Sequence, residues 1–409
     1  MSERYPGGII SKTPPTITGP ATSGEFAGEG GSASGVWSLA DVLAGEKADI
    51  WPKPVLPREL YAWGANSSGQ LGNETVSNTS SPVQIGLTVN WSLVSAANNH
   101  ASATKLDGTF WAWGSNASGQ LGQNNIIDRS SPVQVGALTN WAQPATVNNA
   151  TAAIKTDGTL WTWGVNNRGQ LGRGDVINRS SPVQLGALTN WAMISSGIYT
   201  FFHAVKTDGT LWAWGGNGGG YLGDGTTINR SSPVQIGGLT NWSTVSSGFF
   251  NGVAVKTDGT LWIWGGGAFG ALGDGTTVSK SSPIQIGALT DWSVSSSGRR
   301  CGFATRTGGA LWAWGRNSEG QLGQNNIINR SSPVQVGILS DWSKISAGQY
   351  FVTAVKTDKT LWAWGENVAG NLATGDTLSR SSPVQVGALT SWNKISASSS
   401  ASVLAITKG

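Results

Sequence analysis

The feature that most constrains the fold is an aromatic-x-Trp-Gly segment that returns at a fixed interval along the 409-residue chain. Its Trp-Gly pairs begin at Trp63, Trp113, Trp163, Trp214, Trp264, Trp314 and Trp364. The interval between copies is 50 or 51 residues, and each copy is followed by a Ser-Ser-Pro segment and then by a lone tryptophan. Seven copies of the same landmarks at this period are typical of a propeller or a solenoid.

The paired aromatic residues predict strands. On a helix, residues two apart point about 200° from each other, whereas on a strand they share one face. In the fourth copy a strand places Trp212 and Trp214 on one face, with apolar residues on the other, as expected between two neighbouring sheets. We predict four strands per copy, which in the fourth copy are roughly Leu211–Trp214, Pro233–Ile236, Trp242–Ser246 and Gly252–Thr257.

Short hairpins are predicted just before the Trp-x-Trp strands. Four copies carry an Asp-Gly pair there, namely Asp107-Gly108, Asp157-Gly158, Asp208-Gly209 and Asp258-Gly259. Asp-Gly tolerates the positive φ angles of a tight type I′ turn. Gly308-Gly309 can form the same turn, whereas Asp358-Lys359 fits it less well.

Four strands in a repeat of this length predict an all-β fold, a seven-bladed β-propeller at residues 59–409. The first copy has no hairpin strand before Leu60–Trp63, and the last has no Trp-x-Trp strand after Val403–Thr407. We predict that these two segments pair, because their pairing closes the ring and removes exposed sheet edges. Buried tryptophans are expected to hold neighbouring blades together.

Composition narrows the function. Only 12% of residues are charged and 22 are tryptophan, which argues against disorder. No stretch approaches the roughly 18 apolar residues of a membrane span, and the net charge of +4 does not demand nucleic acid as a partner. His100 and His203 lie in different copies, without the spacing of metal ligands. Gly265–Gly270 spells G-x-G-x-x-G but lacks the following helix that would hold a pyrophosphate. We therefore predict no catalytic residue, metal or cofactor, and a protein that is not an enzyme.

The repeat resembles a known family. Leu311–Gly323 and Ser332–Val334, which read LWAWGRNSEGQLG and SPV, are similar to the repeat of the regulator of chromosome condensation family. The resemblance covers about residues 59–409 and implies a seven-bladed propeller closed by strands from both termini. The family includes nucleotide exchange factors, ubiquitin ligase domains and a plant ultraviolet photoreceptor. The tryptophans through which that photoreceptor senses light correspond here to Ile198, Phe249, Arg299 and Gln349, and no acidic or wedge-like insertion interrupts the repeats. Neither the photoreceptor nor the exchange activity carries over.

The copies differ most just after the strand that the lone tryptophan begins. Positions that diverge between copies are freer to serve binding, and exposed aromatic and arginine side chains often anchor recognition surfaces. The partner-binding candidates are Tyr199, Phe201, Phe249, Phe250, Arg299, Arg300, Tyr350 and Phe351. The alternative is that these residues plug the central channel or begin a strand.

Basic residues recur at two repeat positions. One set is Lys105, Lys155, Lys206, Lys256, Arg306 and Lys356, and the other is Arg129, Arg179, Arg230, Lys280, Arg330 and Arg380. A ring of such residues could attract an anionic surface. For the first set we favour local neutralisation by the hairpin aspartates two residues away.

Residues 1–58 differ from the repeats. They hold seven prolines and nine glycines, and they allow one short helix at residues 39–47, capped by Ser38. We predict an extended docking arm in which Trp37 and Trp51 contact a partner. Arg4–Thr13, with segments around those two tryptophans, resembles the leader of structural proteins predicted from aquatic tailed phages.

Two functional hypotheses follow. The first is a phage virion protein, a tail or fibre component that is homo-oligomeric on the particle. Its arm would bind other virion proteins, and its propeller would serve decoration or bind a host-surface glycan or protein. The second is a non-enzymatic cellular propeller scaffold that binds a protein partner through its loop face.

Overall fold

Seven four-stranded antiparallel sheets make up the part of the chain that the computed structural model describes, which is residues 57–87, 89–197 and 200–408. The first strands of the sheets are β3 (Trp91–Ala96), β7 (Trp141–Val147), β11 (Trp191–Gly197), β15 (Trp242–Ser247), β19 (Trp292–Ser297), β23 (Trp342–Ala347) and β27 (Trp392–Ala397). The second strands are β4 (His100–Lys105), β8 (Ala150–Lys155), β12 (Phe201–Lys206), β16 (Asn251–Lys256), β20 (Cys301–Arg306), β24 (Phe351–Lys356) and β28 (Ser402–Thr407). The third strands are β1 (Leu60–Gly64), β5 (Phe110–Gly114), β9 (Leu160–Gly164), β13 (Leu211–Gly215), β17 (Leu261–Gly265), β21 (Leu311–Gly315) and β25 (Leu361–Gly365). The outer strands are β2 (Thr79–Gln84), β6 (Arg129–Gln134), β10 (Arg179–Gln184), β14 (Arg230–Gln235), β18 (Lys280–Gln285), β22 (Arg330–Gln335) and β26 (Arg380–Gln385).

The sheets form a closed ring, so the predicted seven-bladed propeller is confirmed. Blades 1 to 6 are β3–β6, β7–β10, β11–β14, β15–β18, β19–β22 and β23–β26, and blade 7 combines β27 and β28 with β1 and β2. Each first strand contacts the first strands of both neighbouring blades, which places these strands around the central axis. In blade 7, Leu60 pairs with Ile406 and Trp63 with Val403, as the sequence predicted.

Hydroxyl groups join the inner edges of the first strands, which have no ladder partner on that side. Ser95 Oγ accepts a hydrogen bond from the Thr146 N–H of the next blade at 2.9 Å. The same contact recurs at four other junctions, between Ser195 and Ser247, Ser296 and Ala347, Ser346 and Ala397, and Ser396 and Ala96. These bonds satisfy backbone donors that an open edge would leave exposed.

The second tryptophan of each pair is the main contact between blades. All seven of these indoles are fully buried. Each donates its Nε1–H to a carbonyl in the loop of the preceding blade, at 2.9–3.1 Å, as Trp163 does to the Gln120 carbonyl. The first aromatic residue of each pair is only half-buried, so its copies are not all core residues. These half-buried residues are Tyr61, Trp111, Trp161, Trp212, Trp262, Trp312 and Trp362.

The hairpins before the Trp-x-Trp strands differ from the predicted type I′ turn. In blade 1 the Gly108 N–H donates to the Lys105 carbonyl at 3.0 Å, and the Lys105 N–H donates to the Thr109 carbonyl at 3.1 Å. Gly108 has φ +76°, whereas Asp107 does not have a positive φ. This is a type I turn closed by a glycine bulge, because only one residue takes the left-handed conformation. In blade 6 that position is Lys359, with φ +68°.

Candidate functional site

The most variable loops of the propeller lie together at one end. Strand direction alternates within a blade, so the loops after the first and third strands emerge on the same side, which we call the loop face. Backbone bonds tie the two loops of a blade to each other: the Arg316 N–H donates to the Arg300 carbonyl at 2.8 Å, and the Gly266 N–H donates to the Phe250 carbonyl at 2.7 Å. Side chains from both loops are therefore held close together.

Three arginines stack on aromatic rings where the loops of blades 4, 5 and 6 meet. The Arg299 guanidinium carbon lies 5.6 Å from the ring centre of Phe249 and 5.3 Å from that of Tyr350. Arg299 also donates a hydrogen bond to Tyr350 Oη. Such contacts hold a guanidinium over a ring face while its edge stays available for bidentate bonds to a carboxylate.

Arg300 and Arg316 extend this arrangement around Phe269. Arg300 lies 5.4 Å from the ring of Phe250 and 5.2 Å from that of Phe269. Arg316 lies 5.7 Å from the Phe269 ring and 4.6 Å from the Tyr350 ring, and its Nη1 donates to Tyr350 Oη at 3.2 Å. We call Phe249, Phe250, Phe269, Arg299, Arg300, Arg316 and Tyr350 the arginine–aromatic cluster.

Phe269 reaches the cluster because its loop departs from the repeat. The other six copies hold a buried asparagine, such as Asn317, that pins this loop through its side chain. The fifth copy has Gly267 at that position and forms a short 3-10 helix at Ala268–Gly270 instead. Within it Phe269 takes φ +65° and stays 40% exposed. A glycine in place of the asparagine therefore accompanies the placement of an exposed ring between two arginines.

The charge of the cluster is only partly compensated. Arg316 contacts Glu319 at 3.8 Å, and burial raises the pKa of the nearby Glu366, with Glu319 adding to the effect. Within the described residues, Arg299 and Arg300 make no ion pair. A small cavity of about 190 Å³ beside Arg300 is lined by Tyr221, Phe250 and Ser279. The cluster can accept a carboxylate from a partner while aromatic rings flank it.

The candidates predicted from the sequence fall into three groups. Tyr199, Trp37 and Trp51 lie outside the described residues. Phe201 and Phe351 begin β12 and β24, are at most 1% exposed, and so belong to the core rather than to a free surface. Phe249, Phe250, Arg299, Arg300 and Tyr350 come together in the cluster.

Two residues of the cluster were missed. Arg316 directly follows a third strand, at a position that differs between copies, which was the available signal. Phe269 stands in the segment Gly265–Gly270, where the repeat loses its asparagine. That segment had been considered only as a spelling of a dinucleotide motif, and it forms a loop with a single 3-10 turn.

The two basic sets are held by local partners. The Nζ atoms of Lys105, Lys155, Lys206, Lys256 and Lys356 lie 3.6–4.3 Å from the ring centre of the first tryptophan of a pair, and 4.7–5.0 Å from that of a lone tryptophan. The aspartates expected to neutralise them bind the next threonine, as Asp157 Oδ1 accepts from Thr159 Oγ1 at 2.6 Å. In the second set, Arg179, Arg230 and Arg380 pair with aspartates of their own loops at 2.7–2.9 Å.

The isolated titratable residues are buried. His100 Nε2 lies 3.0 Å from Thr151 Oγ1, and His203 Nδ1 lies 2.8 Å from Ser247 Oγ. Burial lowers the pKa of His100 to about 3 and that of His203 to about 4, and it raises the pKa of Cys301 to about 12. In the described part of the chain, no group of three or more His, Cys, Asp or Glu residues could hold a metal ion. The same residues contain no helix of the length and apolar character that a membrane crossing needs.

The closed ring and the cluster on its loop face define a class of protein: a seven-bladed propeller with a localised binding surface. The chain belongs to the regulator of chromosome condensation (RCC1) repeat family, whose profile matches residues 59–104, 107–154, 157–201, 208–255, 258–304, 308–355 and 358–405. A second profile of the same repeat matches residues 342–371. A search of curated proteins gives no match.

Solved structures share the fold. The human WBSCR16 structure aligns with a TM-score of 0.78 at 18% identity, covering 86% of this chain and 99% of that chain. Prp20p from Saccharomyces cerevisiae, described with its binding properties to Gsp1p and histones, aligns with a TM-score of 0.75 at 17% identity, covering 86% and 92%. Yeast RCC1 (Prp20) bound to Kap60 gives a TM-score of 0.75 at 17% identity, covering 86% and 89%. At these identities the likeness shows the fold alone.

Proposed function

We propose that this protein is a binding scaffold that holds a protein partner through the arginine–aromatic cluster on its loop face. The observation that carries the proposal is that Arg299 and Arg300 stack on aromatic rings and make no ion pair within the described residues. Arginines held over rings beside an exposed Phe269 combine the residue types that dominate protein interfaces. Prp20p, a propeller of the same fold, is described as binding Gsp1p and histones, which supports a partner-binding role here.

The partner surface is expected to be acidic. Two guanidiniums without a carboxylate favour a segment with Asp or Glu side chains, and the flanking rings favour apolar groups beside those carboxylates. Because the cluster is half-buried rather than deeply enclosed, its attraction should weaken as salt rises.

Fluorescence anisotropy with a labelled poly-glutamate peptide tests this surface. Arg300→Glu should weaken binding at least about tenfold, since it replaces an attraction by a like-charge contact. The matched control is Arg168→Glu, which makes the same charge change at an exposed arginine of another loop, outside the cluster. Equal losses in both variants would show that only net charge matters, and the proposal would be wrong.

Crosslinking in cells can then identify the partner. A photoreactive amino acid at Phe269, which is 40% exposed, should capture one protein in high yield. The same group at Leu106, which is 52% exposed in a hairpin at the opposite end, should not. Capture of that protein should disappear when Arg299→Glu is added, and its persistence would argue against the cluster.

The virion hypothesis remains a prediction. It depends on residues 1–58, nearly all of which lie outside the described residues, and the comparisons give it no support. Deleting residues 1–58 should abolish incorporation into particles while the propeller still folds. Particles that retain the truncated protein would contradict a docking role for the arm.

A further inference from the structure

A wedge-shaped groove opens between the outer strands of adjacent blades. At four junctions the groove has a volume of about 410–540 Å³ and is lined by the same repeat positions. Between blades 1 and 2 these are the lone Trp141, the half-buried Trp161, Leu138 and the Ser181-Pro182 step of the outer strand. The tryptophan and Ser-Pro landmarks that define the repeat in sequence thus meet in one groove.

Two indoles form the inner wall of each groove. Trp141 and Trp161 lie edge to face with ring centres 6.0 Å apart, and the Lys155 ammonium lies 3.9 Å from the Trp161 ring centre. Trp161 is half-buried and Trp141 is 3% exposed, so the first indole offers the larger surface to the groove.

Hydrogen-bond donors in these walls have no acceptor within the described residues. The Nε1–H groups of six lone tryptophans are buried and unpartnered, at Trp141, Trp191, Trp242, Trp292, Trp342 and Trp392. Gln123 Nε2 beside Trp141, and Trp312 Nε1 in the groove between blades 4 and 5, are likewise unpartnered. Buried donors are normally satisfied, so the same unpaired donor at six junctions indicates an acceptor supplied from outside the chain.

The groove positions stay the same between copies although the core does not need all of them. A leucine recurs at Leu138, Leu188, Leu239, Leu289, Leu339 and Leu389, each 41–49% exposed. The loops after the first strands have diverged in every copy, which shows that the repeats tolerate drift where nothing restrains them. Retention of half-exposed leucines beside the grooves points to a shared ligand there.

The charges around the grooves are already paired. Lys155 lies over two rings, Arg179 pairs with Asp175 at 2.9 Å, and Arg129 donates to Gln123 Oε1 at 3.3 Å. The groups left for a ligand are indole faces and edges, indole N–H groups and side-chain amides. This set favours an uncharged ligand with apolar faces and hydroxyl acceptors at its rim.

We propose that the inter-blade grooves bind a neutral polysaccharide, one sugar unit per groove. A pyranose ring offers C–H faces to an indole and hydroxyl oxygens to the unpartnered N–H groups, which matches the walls of the groove. Several equivalent grooves around one ring engage a polymer of repeated units together, and this raises the overall affinity without any new contact. The proposal concerns the outer edge of the propeller and does not depend on the arginine–aromatic cluster.

Affinity electrophoresis of the full chain tests the proposal. Native gels containing dextran, laminarin, hydroxyethylcellulose or galactomannan should include at least one polysaccharide that retards the protein. The groove variant combines Leu138→Ser, Leu188→Ser, Leu289→Ser and Leu339→Ser. Its matched control replaces aliphatic residues of the third-to-fourth-strand loops that are 56–61% exposed, and combines Ile127→Ser, Ile177→Ser, Val278→Ser and Ile328→Ser. The groove variant should need about tenfold more polysaccharide for the same retardation, because several weak sites are lost together. The control should match the unaltered protein.

A second readout reports on the indoles directly. With 5-fluorotryptophan incorporated, oligosaccharides of the retarding polymer should shift the ¹⁹F resonance of Trp161, which Trp161→Phe assigns. No retardation by any of the four polymers, or equal loss in both quadruple variants, would overturn the proposal. Retardation by alginate alone would point to the basic residues instead. Shifts induced by a proline-rich peptide but by no sugar would show that the grooves take peptides, and would also overturn it. Arg300→Glu should leave polysaccharide binding unchanged, so the two proposals can fail separately.

Discussion

Asn116 illustrates how a single buried amide holds a whole loop of the propeller. It is fully buried, and its Oδ1 accepts from the Leu121 N–H at 2.9 Å. Its Nδ2 donates to the carbonyls of Asn125 and Ile127 at 3.0 and 3.1 Å. One side chain therefore joins three points of the loop between β5 and β6, and Asn116→Ala removes all three bonds at once.

The expected loss follows from those bonds. The Leu121 N–H would be left buried without an acceptor, at a cost of about 1–3 kcal/mol. The two carbonyls lie in a more exposed part of the loop and can bind water, so each loses about 0.5–1 kcal/mol. We expect Asn116→Ala to lower the free energy of unfolding by about 3 kcal/mol. Asn116→Asp should cost less, since its carboxylate still accepts from Leu121.

Two measurements check this estimate. Urea unfolding followed by tryptophan fluorescence gives the free energy, and hydrogen exchange should show that the Leu121 amide loses its protection. The matched control is Asn167→Ala, an exposed asparagine whose side chain makes only a 3.3 Å bond to Gln170, with an expected effect within about 0.5 kcal/mol. If Asn116→Ala behaves like this control, or Leu121 stays protected, the reasoning is wrong.

Three further substitutions and conditions have defined outcomes. Lys359→Gly should stabilise the protein by about 0.5–1 kcal/mol in urea unfolding, because φ +68° is strained for lysine and the gain exceeds the added chain entropy. Lowering the pH from 7 to 5 should reduce the free energy of unfolding by about 2 kcal/mol for each histidine. The reason is that His100 and His203, with pKa values of about 3 and 4 in the folded state, take up protons in this range only when unfolded. His203→Gln should flatten that pH dependence, and an unchanged slope would contradict it. Lys155→Met should lose about 0.5–2 kcal/mol of stability from the contact with Trp161, whereas exposed Lys280→Met should change it little.

The strands and the ring closure could be predicted because they depend on local alternation and on the repeat. The fourth-copy strands lie within about a residue of their predicted bounds, apart from the outer strand, which begins at Arg230 rather than near Pro233. Pro233 cannot donate to the ladder, and the prediction therefore began the strand at it. The structure places a register shift between Ala213 and Gly215 instead, which accommodates the earlier start.

The candidate site was predicted only in part because it depends on contacts between blades. Phe201 and Phe351 were expected in a loop, but their second strands begin one residue earlier than the pattern indicated and carry both rings into the core. Phe269 and Arg316 stand on the loop after the third strand, and nothing in the sequence shows that this loop is bonded to the variable loop of the same blade. The stacking of Lys155 between two tryptophans likewise joins residues that are distant in sequence.

Differences between the copies separate two surfaces with different expected behaviour. The arginine–aromatic cluster occurs once, since only the fifth copy loses its loop asparagine and carries Arg299 and Arg300. The grooves recur with the same lining, because they are made from the landmarks that all copies share. One substitution at the cluster should therefore remove binding of a single partner, whereas Leu138→Ser alone should weaken polysaccharide binding only slightly, and further groove substitutions should weaken it step by step. A graded response at the cluster, or an all-or-none response at one groove, would mean that the two surfaces have been assigned to the wrong kinds of ligand.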